Sequence, residues 1–170
     1  NPGNDGQPHW SADGRFIAYT SQRKASGDIF VIDLHNDPEK PLRATQWSDA
    51  TEFRPKWSPS ESHLLFTRSR MNSKGQDIGM ITDVTRAKAT LKMVTEWDGD
   101  EIRPNWSPDG SKIAFYSNRG RKNNKIFDLW VVDTSGANAK KLVTDVVVDD
   151  NGGAVWTKDS SAILFVKRDF

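Results

Sequence analysis

The sequence of 170 residues contains no cysteine, no long apolar run and almost no net charge. The absence of cysteine excludes disulfides, thiolate metal sites and cysteine nucleophiles. No apolar stretch approaches the roughly 18 residues that a membrane-spanning helix requires. Lys and Arg number 24 against 23 Asp and Glu, a balance unlike the basic signature of a nucleic-acid-binding protein. These absences remove several classes of site but do not indicate a function.

An internal repeat is the main feature that is present. Seven residues after each of four tryptophans a short apolar run begins, and in three copies two further short runs follow. The runs are rich in β-branched and aromatic residues and are separated by turn-forming residues, which predicts short strands. We name the strands of one copy a, b, c and d in chain order. The tryptophans lie 47, 49 and 50 residues apart and are Trp10, Trp57, Trp106 and Trp156.

Four short antiparallel strands that recur every 40–50 residues or so are typical of β-propeller blades. Between strands a and b, Asp13-Gly14 and Asp109-Gly110 indicate tight hairpins, because such turns need positive φ. No stretch has the spacing of a sustained amphipathic helix. We therefore predict an all-β fold, a partial β-propeller of four-stranded antiparallel blades. The predicted units are blades at 5–45, 50–95 and 100–144 and a partial fourth blade at 150–170.

The repeat unit resembles the β-propeller repeat of the TolB family. The resemblance is carried by Pro-x-Trp-Ser-Pro-Asp-Gly at 104–110, by Ile113-Ala114-Phe115 and by a strand that opens with Asp128. Related units occur in propellers of prolyl-oligopeptidase-type peptidases and of some oligosaccharide lyases. The second copy departs from the pattern, with Ser60-Glu61 in place of Asp-Gly. The resemblance implies a periplasmic or secreted protein that binds an envelope lipoprotein or an OmpA-like protein.

The predicted fourth blade has only strands a and b, and an isolated two-stranded hairpin is marginally stable. We therefore expect the rest of a longer propeller, or a second copy of the chain, to close the ring. A compact four-bladed ring with a degenerate last blade is the alternative. The first residue is Asn1 rather than Met, which suggests a processed or excised piece.

Strand a lies innermost in a propeller blade, so the residues beside its proline are expected to approach the central channel. Glu52-Phe53-Arg54-Pro55 closely matches Glu101-Ile102-Arg103-Pro104, which predicts an acid and an arginine at the same height in neighbouring blades. Two tryptophans of the d–a loops are candidate exposed anchors, since Trp and Arg are favoured at interface centres; the alternative is that they cap the core. The predicted partner-binding residues are Gln7, His9, Trp47, Glu52, Arg54, Lys56, Trp97, Glu101, Arg103 and Asn105.

The remaining tryptophans and charges have structural interpretations. The repeat tryptophans are predicted to pack blade against blade. The b–c loops carry nine cations and no acid, whereas the d–a loops carry nine acids and two arginines. Two opposed charge belts on one face would steer charged partners; the alternative is that they neutralise each other. The aspartates that open strand c are predicted to pair with arginines that follow strand b, namely Asp28 with Arg23, Asp77 with Arg70 and Asp128 with Arg119.

Residues for catalysis are scarce. The sequence has no Gly-x-Ser-x-Gly, the elbow of a hydrolase nucleophile. Its three histidines are not predicted to converge, and its acids lack the spacing of a calcium loop. We therefore expect no catalytic set, no metal and no cofactor, and neither nucleic-acid binding nor membrane insertion. The leading hypothesis is a non-catalytic protein-binding scaffold; the alternatives are the substrate-gating propeller of a serine peptidase and a glycan-binding propeller.

Overall fold

The computed structural model describes residues 4–22, 27–71, 75–85, 89–148 and 153–166. In this part of the chain every regular element is a strand, and there is no helix. Because no helix is present there, none is long and apolar enough to cross a membrane. The predicted all-β fold is confirmed.

The strands form three four-stranded sheets and one hairpin, and each strand pairs antiparallel with its neighbour in sequence. The first blade contains β1 (Asp5–Trp10), β2 (Phe16–Ser21), β3 (Asp28–Asp33) and β4 (Leu42–Arg43). The second contains β5 (Ala50–Trp57), β6 (Leu64–Arg70), β7 (Gln76–Thr82) and β8 (Thr90–Met93). The third contains β9 (Glu101–Trp106), β10 (Lys112–Ser117), β11 (Ile126–Asp133) and β12 (Lys140–Val147). The partial fourth blade is the hairpin of β13 (Val155–Trp156) and β14 (Ile163–Leu164).

Tight turns join the first two strands of the blades. Gly14 and Gly110 have φ values of 71° and 73°, in the left-handed region that side chains with a Cβ rarely adopt. The amide of each glycine donates to a serine carbonyl three residues earlier, Ser11 or Ser107. The Asp-Gly pairs therefore form the positive-φ turns that the sequence predicts.

Three apolar layers lie between consecutive blades. The first layer contains Ala18, Ile29, Val31, Trp57, Leu64, Phe66, Ile81 and Val84. The second contains Leu65, Ile78, Met80, Val94, Trp106, Ile113, Phe115 and Val132. The third contains Tyr116, Phe127, Leu129, Val146 and Ala154. Each layer joins side chains of two blades, so burial of apolar surface is what holds one sheet against the next.

The repeat tryptophans lie on the side of each blade that faces the preceding one. Trp57 and Trp106 are only 4% and 7% exposed. The Nε1–H of Trp106 donates to the carbonyl of Lys56 in the preceding blade at 3.1 Å, and Trp156 does the same to Asn105 at 3.4 Å. Trp57 and Trp106 pack in the apolar layers between blades, as predicted, and Trp156 contacts the preceding blade through its hydrogen bond.

Trp10 differs from the other repeat tryptophans because it is 56% exposed. Among the described residues, the three apolar layers join successive blades and none joins the β13–β14 hairpin to the first blade. The described part of the chain therefore does not form the compact four-bladed ring. Closure by further blades or by a second copy stays a prediction.

The contrast between the two indoles gives a stability test. We expect Trp106→Ala to lower the free energy of unfolding by about 3–5 kcal/mol, because it leaves a cavity in an apolar layer. Trp10→Ala is the matched control and should cost less than about 1 kcal/mol, since that side chain is largely solvated. Urea unfolding followed by far-UV circular dichroism measures both. Equal losses in the two variants would contradict the proposed packing.

Candidate functional site: the channel wall

The inner strands of the three complete blades carry a β-bulge at the same point. The pairing register shifts between Gly6 and His9 in β1 and between Phe53 and Lys56 in β5, and β9 shifts in the same way. A bulge bends its strand and redirects a side chain. The residue that precedes the proline lies in each bulge with left-handed φ, and these values are 56° for Gln7, 57° for Arg54 and 56° for Arg103.

Left-handed φ is uncommon for residues other than glycine, and it costs on the order of 1–3 kcal/mol per residue. Here it recurs at one position of three repeats, so the surrounding fold imposes it. The bulges direct these side chains towards a common space, which is a cavity of about 380 Å³. Its lining comes from all four inner strands or the residues just before them: Gln7, Pro8, Arg54, Pro55, Lys56, Arg103, Pro104, Asn105, Gly153, Ala154 and Val155. We call this surface the channel wall.

The channel wall includes five of the ten predicted partner-binding residues. They are Gln7, Arg54, Lys56, Arg103 and Asn105. The residues beside each proline were expected to approach the central channel, and these five line the cavity. Whether they bind a partner stays a prediction.

Hydrogen bonds between neighbouring inner strands hold the channel wall in place. The amide of Arg54 donates to Oε1 of Gln7 at 3.0 Å and to Oγ1 of Thr20 at 3.1 Å. Asn105 Nδ2 donates to the carbonyl of Ala154 at 3.0 Å. Gln7 and Asn105 therefore act partly as ties between blades. The sequence reasoning missed Thr20, although its place in strand b recurs as Thr67 in the second blade.

His9, another predicted site residue, also ties two blades. Its Nδ1 accepts a hydrogen bond from the amide of Trp57 at 3.1 Å. Burial, and secondly the charge of Lys56, lowers the pKa of His9 to about 4. The imidazole is therefore neutral at neutral pH, as an Nδ1 acceptor must be. It does not line the cavity.

Positive charge dominates the channel wall. Its described lining contains Arg54, Lys56 and Arg103 and no carboxylate. Burial, and secondly the charge of Arg54, lowers the pKa of Lys56. Both effects destabilise the charged form of Lys56.

Glu52 and Glu101 were predicted to bind a partner, and the structure contradicts this for a direct contact, since both are 0% exposed. On a regular strand, residues two apart share one face, so each glutamate would lie on the same face as the arginine two residues later. The bulge at the arginine separates the two and leaves the glutamate inside. Glu52 Oε1 lies 3.8 Å from Arg68 Nε, and Glu101 accepts a hydrogen bond of 2.7 Å from Ser117.

Burial raises the pKa of both glutamates to about 7. Arg68 partly offsets the effect of burial on Glu52, and the Ser117 hydroxyl does so for Glu101. Near neutral pH these side chains therefore carry only part of their negative charge. The acids beside the channel wall do little to neutralise its cations.

Trp47 and Trp97, the predicted exposed anchors, cap the core instead. Trp47 stacks on Phe66 with ring centroids 6.5 Å apart, and Trp97 lies 5.4 Å from Phe115. Both indoles are partly buried against the apolar layers. Arginines lie over their outer faces, Arg68 at 4.9 Å and Arg119 at 4.8 Å. The prediction of exposed anchors is wrong because apolar burial outweighs solvation for a large indole that reaches the core.

The loop charges largely neutralise one another. The predicted pair of Arg70 and Asp77 is present at 2.9 Å. Asp128 pairs with Arg121 rather than Arg119, because Arg119 stacks on Trp97. Other ion pairs among the described residues join Arg43 to Asp28, Arg68 to Asp49 and Arg121 to Asp145. Arg23, the predicted partner of Asp28, lies outside the described residues, as do Lys24, Lys74, Asp149 and Asp150.

The structure therefore favours neutralisation over two separate charge belts. The cations that remain without an ion pair in the described part of the chain include Arg54 and Lys56, both on the channel wall. No group of three or more His, Asp or Glu side chains able to hold a metal ion occurs in the described ranges.

The chain is similar to known proteins in its three-dimensional structure. No protein-family model and no curated protein matches the sequence. Among solved structures, TolB from Acinetobacter baumannii superposes with a TM-score of 0.75 and 25% identity, covering 98% of this chain and 38% of that one. A TolB structure from Agrobacterium tumefaciens gives 0.70 and 22% identity, covering 86% and 50%.

The β-propeller domain of the Trilobed protease from Pyrococcus furiosus is also similar, with a TM-score of 0.63, 17% identity and coverage of 92% of this chain and 47% of that one. The chain thus spans half or less of the lengths of these three structures. It has a TolB-like β-propeller repeat fold.

The buried glutamates give a pH-dependent prediction. The pKa of Glu101 is raised from 4.5 to about 7 in the folded chain. Its contribution to the free energy of unfolding is therefore fully present below pH 4.5 and is lost as the pH rises through 7. Between about pH 5 and pH 8, we expect the free energy of unfolding of wild type to fall by on the order of 2 kcal/mol relative to that of Glu101→Gln.

Urea unfolding at both pH values measures this difference, and Glu52→Gln should behave in the same way. The matched control is Glu39→Gln at an exposed position, which should leave the pH dependence as in wild type. An unchanged pH dependence in Glu101→Gln would show that this carboxyl titrates normally in the folded chain.

Proposed function

We propose that this chain is a non-catalytic protein-binding scaffold, a TolB-like β-propeller module of the bacterial cell envelope that binds a partner protein at its loop-rich mouth. The observation that carries the proposal is the channel wall, where side chains of separate blades line one open cavity of about 380 Å³. Cavities of this size are within the range of ligand-binding clefts. A site built by several rigid sheets also changes little on binding, which reduces the entropic cost.

The composition of the channel wall supports binding rather than catalysis. The described residues of its lining offer amides, cations, prolines and small apolar side chains, and no hydroxyl, imidazole or carboxylate side chain. General acid–base and nucleophilic catalysis mostly use those three groups. Lys56 is the only titratable side chain there that is known to serve such roles, and no second catalytic group lines the cavity beside it.

The likeness to the two TolB structures supports a periplasmic or secreted location. A partner of the envelope lipoprotein or OmpA-like kind is what the resemblance of the repeat implies. Arginines at the centre of an interface are frequent contributors to affinity. Arg54 and Arg103 have equivalent places in neighbouring blades, so a partner seated on the channel wall contacts both.

A direct test measures binding of a purified OmpA-like periplasmic domain to the immobilised chain by surface plasmon resonance. We expect Arg54→Ala combined with Arg103→Ala to weaken binding by about tenfold or more, since arginines at an interface centre are frequent hot spots. The matched control replaces two exposed lysines away from the channel wall, Lys112→Ala with Lys158→Ala. Undiminished binding in the arginine variant would contradict the proposed site, and absence of binding to wild type would contradict the proposed partner.

A further inference from the structure

We propose that the channel wall is a carboxylate-binding site. The segment that it binds is an extended acidic stretch of the partner, whose carboxylates lie between Arg54 and Lys56. This inference rests on the proposed function, because it specifies the chemistry of the bound segment. Three observations support the carboxylate site. Two cations have no ion pair in the described residues, their surroundings are partly buried, and the lining suits a peptide better than another polyanion.

Arg54 and Lys56 differ from most of the other arginines in the described part of the chain. Five arginines pair with a carboxylate, namely Arg15, Arg43, Arg68, Arg70 and Arg121. Arg119 stacks on an indole. In the same part of the chain, no ion pair neutralises the guanidinium of Arg54 or the ammonium of Lys56. Within the described residues, these six arginines are thus engaged by a carboxylate or an indole, whereas Arg54 and Lys56 have no ion pair.

The surroundings of these two cations strengthen their attraction for an anion. Both side chains are partly buried, and an ion pair in such a place is screened less than one in open solvent. The nearest acidic residue in sequence, Glu52, is 0% exposed and does not line the cavity. Among the described lining residues, a carboxylate from outside thus meets two cations and no competing anion.

The two cations suit a carboxylate in different ways. The guanidinium of Arg54 offers a planar fork that matches both oxygens of a carboxylate. The ammonium of Lys56 is a compact charge, and a bound anion would remove the unfavourable effect of Arg54 on it. Arg103, in the next blade, also lines the cavity.

An acidic peptide fits the channel wall better than a nucleic acid does. Single-stranded nucleic acids are bound largely through stacking of bases on aromatic rings. No described residue of the lining is aromatic; besides its cations the lining has three prolines, two amide side chains, a glycine, Ala154 and Val155. Such a surface accommodates aliphatic parts of a peptide while the cations hold its carboxylates.

The test uses the whole 170-residue chain and three short fluorescein-labelled peptides of equal length, one rich in Glu, one with every Glu replaced by Gln, and one with every Glu replaced by Lys. Fluorescence anisotropy measures each affinity at low and at physiological ionic strength. We expect only the Glu peptide to bind, with an affinity that falls as salt rises. Arg54→Gln combined with Lys56→Gln should weaken it about tenfold or more.

Lys112→Gln combined with Lys158→Gln removes the same charge from exposed positions outside the channel wall and should bind the Glu peptide nearly as wild type does. A second readout is the side-chain NMR titration of Lys56, whose pKa should rise when the peptide binds. Circular dichroism confirms that each variant is folded. Equal affinity for the Gln peptide, or equal affinity in the Arg54 and Lys56 variant, would overturn the inference.

The inference and the proposed function fail in distinguishable ways. If the OmpA-like domain binds wild type but the Glu peptide does not, the proposed scaffold stands and the carboxylate site is wrong. If the Glu peptide binds through Arg54 and Lys56 but no such domain binds, the carboxylate site stands and the proposed partner is wrong.

Discussion

Burial of apolar side chains between consecutive sheets is the interaction on which the rest of this structure depends. The first two layers each combine a tryptophan of one blade with strand residues of the blade before it, as Trp106 does with Leu65. The same indole donates a hydrogen bond to the inner strand of the preceding blade, at Lys56. The apolar layers and the channel wall are therefore fixed together, because the residue that fills the layer also sets the position of the wall.

The second constraint is the bulge in each inner strand. It places Arg54 and Arg103 on the open side while Glu52 and Glu101 remain inside, although each pair is only two residues apart. The bulge, and not the composition, separates the cationic from the acidic side chains, since the sequence as a whole is nearly neutral. A chain with a formal charge of +1 thereby presents a cationic surface at one place, while its loop charges pair with one another.

Much of this arrangement follows from the sequence, because the repeat gives equivalent residues equivalent places. The spacing of Trp57, Trp106 and Trp156 predicts the blades, and the prolines after Arg54 and Arg103 predict which side chains reach the channel. The errors arise where local geometry decides. A bulge is invisible to a pattern of alternating residues, so Glu52 and Glu101 were placed on the wrong side. The choice of Arg121 over Arg119 depends on the path of a loop, and the burial of Trp47 and Trp97 depends on how far an indole reaches towards the core.

The most direct test of this account is the hydrogen exchange of the individual indole N–H groups, measured by NMR after transfer into deuterium oxide. The N–H of Trp106 donates to the carbonyl of Lys56 in the preceding sheet, whereas Trp10 is more than half exposed. The account predicts that the Trp106 resonance persists long after that of Trp10 has disappeared, because exchange at Trp106 requires two blades to separate. Exchange of both indoles at the rate of a solvated tryptophan would contradict the packing of blade against blade, and with it the channel wall.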